Sequence, residues 1–502
     1  MTSNTPASPR AALLADATAT RQPCSRRRAR TAAGSGAVTA RGARAAIAVI
    51  AAIAILALAA AAAPLGAQIA DRARAVALVD SIARAAVESG RVAGLTVGVV
   101  VGRDTLLLRG YGRADIETGT PTPDRAIYEI GSVTKQFTAA VIVKLASQGR
   151  IDLDADFTRY LPDFDTQGRH ITVRRLLNHT SGIRGYTELP FFAMLSSQTL
   201  PRDTLLRLVE RQPVHFEPGE AMIYNNTGYF LLGLIIENVT GRSYAEYVRD
   251  ALFAPADMHD SYYCSTDLPR TQHVRGHAAL PAGELRTVPY ANHTWPYAAG
   301  SLCSTAGDLI AWTRALHDGR ILDPAAYRSL ITPDTLNNGL RTRYAMALSR
   351  GTIAGHPAIA HGGAITGFVS HLAYLPEQDA IIVVLINTTG GQSPAALTTA
   401  IASSLFGTLP PPPAVAYTGS LDRYAGTYTG RGRGPDFTVR IEVAEGGLNA
   451  FVNNGPNAER AVYVGDGVFR TGNTLLRFVV RNGTAVRAII DQGASVLMLG
   501  RQ

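Results

Sequence analysis

The sequence predicts an α+β fold followed by a small all-β domain, and three observations carry that reading. Two β-rich runs near the start, Leu95–Val101 and Thr105–Gly110, have counterparts far along the chain at Val369–Leu375 and Ala380–Ile386. A long, mainly helical stretch over 170–330 separates the two sets. Four consecutive prolines, Pro410–Pro413, then interrupt the chain, and turn signals such as Asn453-Asn454-Gly455-Pro456 and Arg481-Asn482-Gly483 recur beyond them. The expected architecture is one antiparallel sheet built from both ends of the first region, with helices on its faces and a helical lobe. A small barrel or sandwich of short strands completes the chain.

Each element has a local reason. Over Asp71–Val87, the residues Ala75, Leu78, Val79, Ile82 and Ala86 recur at helical spacing. Gly102-Arg103-Asp104 joins the first two strands as a hairpin. Over 131–148, Val133, Phe137, Ala140, Val141 and Leu145 share one helix face, and Gly149 supplies the stop. A further helix is expected near 393–405. The chain of 502 residues therefore divides into 1–67, 68–409, a proline-rich linker at 410–415, and a β-barrel at 416–502. Every motif described below precedes the prolines, so a chain ending at 413 is expected to keep its reactivity.

Composition excludes several classes. Hydrophobic residues at 46% and charged ones at 17% rule out disorder as the main state. The net charge of +9 would suggest a polyanion partner, but +7 of it lies in residues 1–67 and only +2 remains elsewhere. No nucleic acid partner is expected. The Arg-rich stretch Arg26–Arg44 runs into the apolar Ala45–Ala67, a basic region before an apolar one with small residues at its end. This reads as an export signal cleaved after Ala67, or as a membrane anchor over 45–67 where uncleaved. The protein is accordingly expected in the periplasm or outside the cell. Cys264 and Cys303 remain after export, either as a disulfide or as two buried thiols.

Only two of the 48 basic residues are lysines, Lys135 and Lys144. Lysine differs from arginine in being able to lose its proton inside a protein. Lys135 follows Ser132 by one helical turn, in Gly131-Ser132-Val133-Thr134-Lys135, so hydroxyl and amine can meet. A serine becomes a good nucleophile when a neighbouring base takes its proton. A second pattern, Tyr224-Asn225-Asn226, precedes the apolar run Phe230–Val239. A phenol beside a cation can shuttle a proton, and an Asn amide suits a peptide-like group; the plainer alternative is a packed Tyr with Asn226 as a helix cap. The third, His361-Gly362-Gly363, stands ahead of the later strand pair. Its glycines would let a substrate backbone lie against an edge strand, or simply form a turn. No metal or cofactor is expected: His273 and His277 lack the Glu of a zinc helix, and no Gly-rich phosphate loop follows a strand.

In this order, Ser-x-x-Lys, Tyr-x-Asn and His-x-Gly resemble the penicillin-recognising serine hydrolases. That superfamily includes class C β-lactamases, D-Ala-D-Ala carboxypeptidases, D-aminopeptidases and related esterases. The segments Leu176–Gly182 and Ala299–Leu309 match as well, and the chain from Leu421 to Tyr428 is similar to a lipocalin-like barrel attached to some members. The resemblance implies a β-lactamase/transpeptidase-like fold and an acyl-enzyme on Ser132. It makes Lys135 the base and Tyr224 the proton carrier. The backbone amides of Ser132 and Ala364 become the oxyanion hole. Asn226, His361 and Gly363 become substrate-binding residues. His361 stands where β-lactamases usually have Lys, as in the carboxypeptidase and D-aminopeptidase branch, and is expected either as a cation for a substrate carboxylate or as a structural or hydrogen-bonding group. The expected substrates are small molecules or peptides with D-amino acids, cell-wall fragments included. An esterase or β-lactamase is the rival enzyme, and a catalytically weak wall- or peptide-binding protein the rival of another class.

Overall fold

The computed structural model describes residues 71–265 and 273–502, and the export segment expected over 1–67 lies outside them. Asp71 caps α1 (Arg72–Glu88) by accepting the Arg74 N–H at 2.9 Å. The chain then forms β1 (Gly94–Val101), β2 (Asp104–Asp115) and the short β3 (Thr120–Pro121). Helix α2 (Thr134–Ser147) opens the helical lobe, which contains the two-residue strand β4 (Met222–Ile223) and α3 (Asn226–Thr240). Strands β5 (Ser349–Ile353), β6 (His356–Ile365), β7 (Phe368–Leu375) and β8 (Ala380–Ile386) return to the sheet, and α4 (Pro394–Phe406) follows. Sheet order is β5-β6-β7-β8-β1-β2-β3, antiparallel throughout.

The two ends of the region thus meet at the β8–β1 pair in the middle of the sheet, where Leu95 faces Ile386 and Val101 faces Ala380. Both strands are buried along their length, which explains why they are apolar apart from Thr96. Side chains alternate between two cores. Leu95, Val97, Val99, Ile382 and Val384 pack with Val79 of α1 and Ile401 of α4. Ile381, Val383 and Leu385 face the other way, into the core that holds α2 and α3.

Two local expectations are corrected. Helix α2 is buried around almost its whole circumference rather than on one face, Lys135 and Gln136 included. His361-Gly362-Gly363 is no turn but part of β6, in register with Leu372, His371 and Ser370 of β7. Glycines and Pro357 weaken the strand signal locally, and pairing across the sheet overrides it.

Beyond the prolines, eight antiparallel strands run from β9 (Gly426–Arg431) and β10 (Asp436–Ala444) to a final strand, Ser495–Arg501, which pairs back onto β9 and closes a barrel. The barrel is also joined to the helical lobe, a contact that its position after the prolines had not suggested. The final strand also pairs with β4, Ser495 opposite Ile223 and Val496 opposite Met222. Ala221 and Ile223 belong to the barrel core with Tyr428, Leu448 and Leu499. Met222 and Tyr344 pack with Ile489 and Val496. Arg343 Nε donates to both carboxylate oxygens of buried Asp491 at 3.0 Å, and Nη2 donates to the Asp491 and Asn473 carbonyls at 2.9 and 2.8 Å. Cys264 and Cys303 form a disulfide with Cα atoms 5.3 Å apart.

Burial also sets an acid limit. His317 and His361 are lowered to about 3 and His371 to about 4, in each case chiefly by burial, and His179 is held well below its ordinary value for the same reason. These rings are neutral in the folded protein, whereas the unfolded chain protonates them below about pH 6.5. Their contribution is therefore complete above about pH 6.5 and is lost as pH falls toward 3, at up to about 1.4 kcal/mol per pH unit for each ring. The denaturation midpoint in urea is expected to be clearly lower at pH 5 than at pH 7. Equal midpoints would show that the histidines accept protons without cost.

Candidate active site

Ser132 lies in a 3-10 turn, Gly131–Val133, that runs directly into α2. The turn is pressed against the end of β6. Gly131 has φ +50°, and a Cβ there would stand 2.9 Å from the Ala364 nitrogen, so only glycine suits the position. At Gly363 a Cβ would meet the Ile130 carbonyl oxygen at 2.1 Å. The space that this glycine leaves is therefore filled by the chain leading to Ser132, not left open for substrate as expected. Ser370 Oγ donates to the same Ile130 carbonyl at 2.9 Å. Strand β5 begins opposite Ala360, so the His361–Ile365 end of β6 has no strand on that side. Ser132, Ala364, Ile365 and Thr366 line a cavity of about 300 Å³ there.

Lys135 is fully buried, and its Nζ stands 3.1 Å from Ser132 Oγ, 2.8 Å from Asn226 Oδ1 and 2.8 Å from the Ala299 carbonyl. Among the described residues no carboxylate bonds to it. Burial first, then the positive charge of Arg433, hold its pKa well below the usual value, and Glu188 opposes them. A neutral amine has two N–H donors and one lone pair. The two N–H bonds suit the Asn226 and Ala299 oxygens, which can only accept, and leave the lone pair for the Ser132 hydroxyl proton.

Tyr224 is placed by its neighbours on both sides. Met222 and Ile223 are held by the barrel, and Asn225 caps α3, its Oδ1 accepting the Gly228 N–H at 2.8 Å. The cap is thus Asn225 and not Asn226, which leaves the Asn226 side chain free to bond Lys135 and, through Nδ2, Thr187 Oγ1 at 3.1 Å. The Tyr224 ring lies 4.9 Å from Lys135 Nζ. Its hydroxyl is buried, and burial raises its pKa above the usual phenol value, against the pull of the Ser132 hydroxyl and of Arg433. The resting group is therefore a neutral phenol, contrary to the expectation that a neighbouring cation would ease its ionisation.

His361 lies beneath this constellation, buried and neutral, lowered to about 3 by burial and then by Lys135. It brings no positive charge to the cleft above that pH, which corrects its expected role as a cation. A directed chain of hydrogen bonds holds it. The Asn225 N–H donates to His179 Nδ1 at 3.1 Å, so His179 carries its proton on Nε2, 3.2 Å from the Tyr344 hydroxyl. Tyr344 in turn donates to His361 Nε2 at 2.9 Å, and His361 Nδ1–H donates to the Gly362 carbonyl at 2.6 Å. His179 thus ties the Tyr-x-Asn segment to the His-x-Gly strand. Tyr344 carries no motif and was missed, as were Arg433 and Glu188. Ala299 could have been found, because it opens a segment already matched.

A family model described as Beta-lactamase matches residues 79–406. The chain belongs to the beta-lactamase family. Protein flp of Staphylococcus aureus (strain N315) is 27% identical over 317 residues, which span 62% of this chain and 62% of that protein. The match thus covers less than two thirds of this relative's length. Penicillin-binding protein 4* of Bacillus subtilis (strain 168) is 29% identical over 358 residues, 66% of this chain and 78% of the relative. Among solved structures, the D-amino acid amidase from Ochrobactrum anthropi SV3 superimposes with a TM-score of 0.58 and 27% identity, over 65% of this chain and 97% of the amidase.

Proposed function

We propose that this beta-lactamase family member is an exported serine hydrolase that forms an acyl-enzyme on Ser132 and cleaves amides or peptides of D-amino acids. The observation that carries the reading is the fully buried Lys135, bonded to the Ser132 hydroxyl and two carbonyl oxygens, with no carboxylate partner among the described residues. Burial and the positive charge of Arg433 shift such an amine toward its neutral form, the form that can take a proton. In acylation, Ser132 Oγ bonds to the substrate carbonyl carbon while its proton passes to Lys135. The carbonyl oxygen, now negative, accepts from the backbone N–H groups of Ser132 and Ala364. Tyr224 gives its phenol proton to the leaving nitrogen as the C–N bond breaks and regains one from Lys135. Water then hydrolyses the ester and returns the serine. A pure binding protein has no use for a buried lysine whose pKa is pushed down beside a serine hydroxyl.

The substrate class rests on the cleft and on the relatives. Tyr186, Phe192 and Trp295 line the cavity, an aromatic wall that suits an apolar side chain. The similar amidase is by name an enzyme of D-amino acids. Export is supported by the basic and apolar N-terminal pattern and by the Cys264–Cys303 disulfide.

The test is covalent labelling with a fluorophosphonate, in competition with D- and L-phenylalanine amide, followed by tryptic mass spectrometry. The label is expected on the peptide 126–135, with the D-amide the better competitor and the mature chain starting at Gln68. A label on another residue, or none, would remove the acyl-enzyme. Equal competition would remove the D preference, and an intact N-terminus would remove cleavage.

A further inference from the structure

Arg433 sits on the turn between β9 and β10 of the barrel, in Gly432-Arg433-Gly434-Pro435. It nonetheless lines the cavity of Ser132, and among the described residues no other charged side chain does. Its Nε donates to Glu188 Oε1 at 3.0 Å. The Glu188 carboxylate is 8% exposed and also accepts the Thr187 hydroxyl at 2.8 Å. Gly185 makes room for it, since a Cβ there would lie 1.5 Å from Glu188 Oε2. The Arg433 guanidinium carbon stands 5.1 Å from the centroid of the Tyr224 ring.

A carboxylate buried in a fixed place, bonded to Nε alone, aims the guanidinium without using it up. Nη1 and Nη2 make no hydrogen bond among the described residues. Two terminal amino groups on a planar fork are the donor set that binds a carboxylate in two-point fashion. Glu188 offsets the cost of holding the guanidinium charge at the cleft wall, while the open fork remains available.

Given the acyl-enzyme at Ser132 proposed above, we propose that Arg433 is a specificity-determining residue which the barrel supplies to the cleft, where it binds a carboxylate of the substrate, and that Glu188 is its positioning residue. The barrel then forms one wall of the binding site, and the charge that His361 lacks comes from a different domain.

The test uses the full-length protein and two esters with the same leaving group and acyl chain length, p-nitrophenyl hydrogen glutarate and p-nitrophenyl valerate. They differ in one terminal carboxylate. The quantity read is the ratio of kcat/KM for the acid ester over the neutral one. Arg433 also influences Lys135, but that influence reaches both esters and cancels in the ratio. Arg433→Ala is expected to lower the ratio about 10- to 100-fold, and Arg433→Lys to recover part of it. Glu188→Gln is expected to raise KM for the acid ester more than it lowers kcat. An unchanged ratio in Arg433→Ala, with Ser132 still labelled by fluorophosphonate, would reduce Arg433 to a strut between barrel and cleft and leave the hydrolase reading standing. Absence of labelling together with no turnover of either ester would overturn both.

Discussion

Lys135→Arg is expected to leave less than about one thousandth of the parent acylation rate, nearly as complete a loss as Lys135→Ala. By residue type the substitution is conservative. By chemistry it is not, because the guanidinium cannot accept the serine proton. The site is also unsuited to a permanent cation: Lys135 is fully buried, and its partners are two neutral carbonyl oxygens and a hydroxyl. Arg433 adds positive charge from the cleft wall and opposes a second cation. In the parent protein the same logic gives the pH profile. The amine is active when neutral, so acylation falls as pH drops through its lowered pKa. The measurement is the pre-steady-state burst with p-nitrophenyl valerate, alongside a urea denaturation curve to establish that the variant is folded. A folded Lys135→Arg protein with more than a tenth of the parent rate would show that the amine serves as a fixed charge.

The parts legible in the sequence are those whose cause is local. Ser132 and Lys135 stand one turn apart, so their meeting follows from the 3-10 turn and the start of α2. The runs Leu95–Val101 and Ala380–Ile386 are apolar apart from Thr96, and such runs suit central strands buried on both faces. The missed parts depend on partners distant in the chain. Nothing near Arg433 marks it among 46 arginines; its role comes from Glu188, 245 residues earlier. His361 is a candidate cation as a letter in a motif, and burial beside Lys135 makes it neutral. Met222 and Ile223 are two residues of strand, too short for any periodic signal, yet they carry the barrel's attachment.

That attachment governs the second large effect. Removing residues 414–502 is expected to abolish acylation, even though Ser132, Lys135, Tyr224 and His361 all remain. The deletion takes away the strand that pairs with Met222 and Ile223, the two residues before Tyr224. It exposes Ala221 and Ile223, which are buried in the barrel core, and Met222 and Tyr344, which pack on Ile489 and Val496. Tyr344 carries the hydrogen bonds between His179 and His361, so the Tyr-x-Asn segment loses support on two sides. Arg343 loses Asp491, and Glu188 loses Arg433. Because the truncated chain can fail simply by aggregating, Arg343→Ala in the full-length protein provides the paired measurement. It strands the Asp491 carboxylate, 1% exposed, without its main partner, which costs on the order of 3–5 kcal/mol. Its signature is a lower urea midpoint accompanied by a slower burst, since loosening the barrel also loosens Tyr224. A soluble chain ending at 413 that is labelled at the parent rate, or an Arg343→Ala protein that loses stability with no change in the burst, would show that the active site does not depend on the barrel.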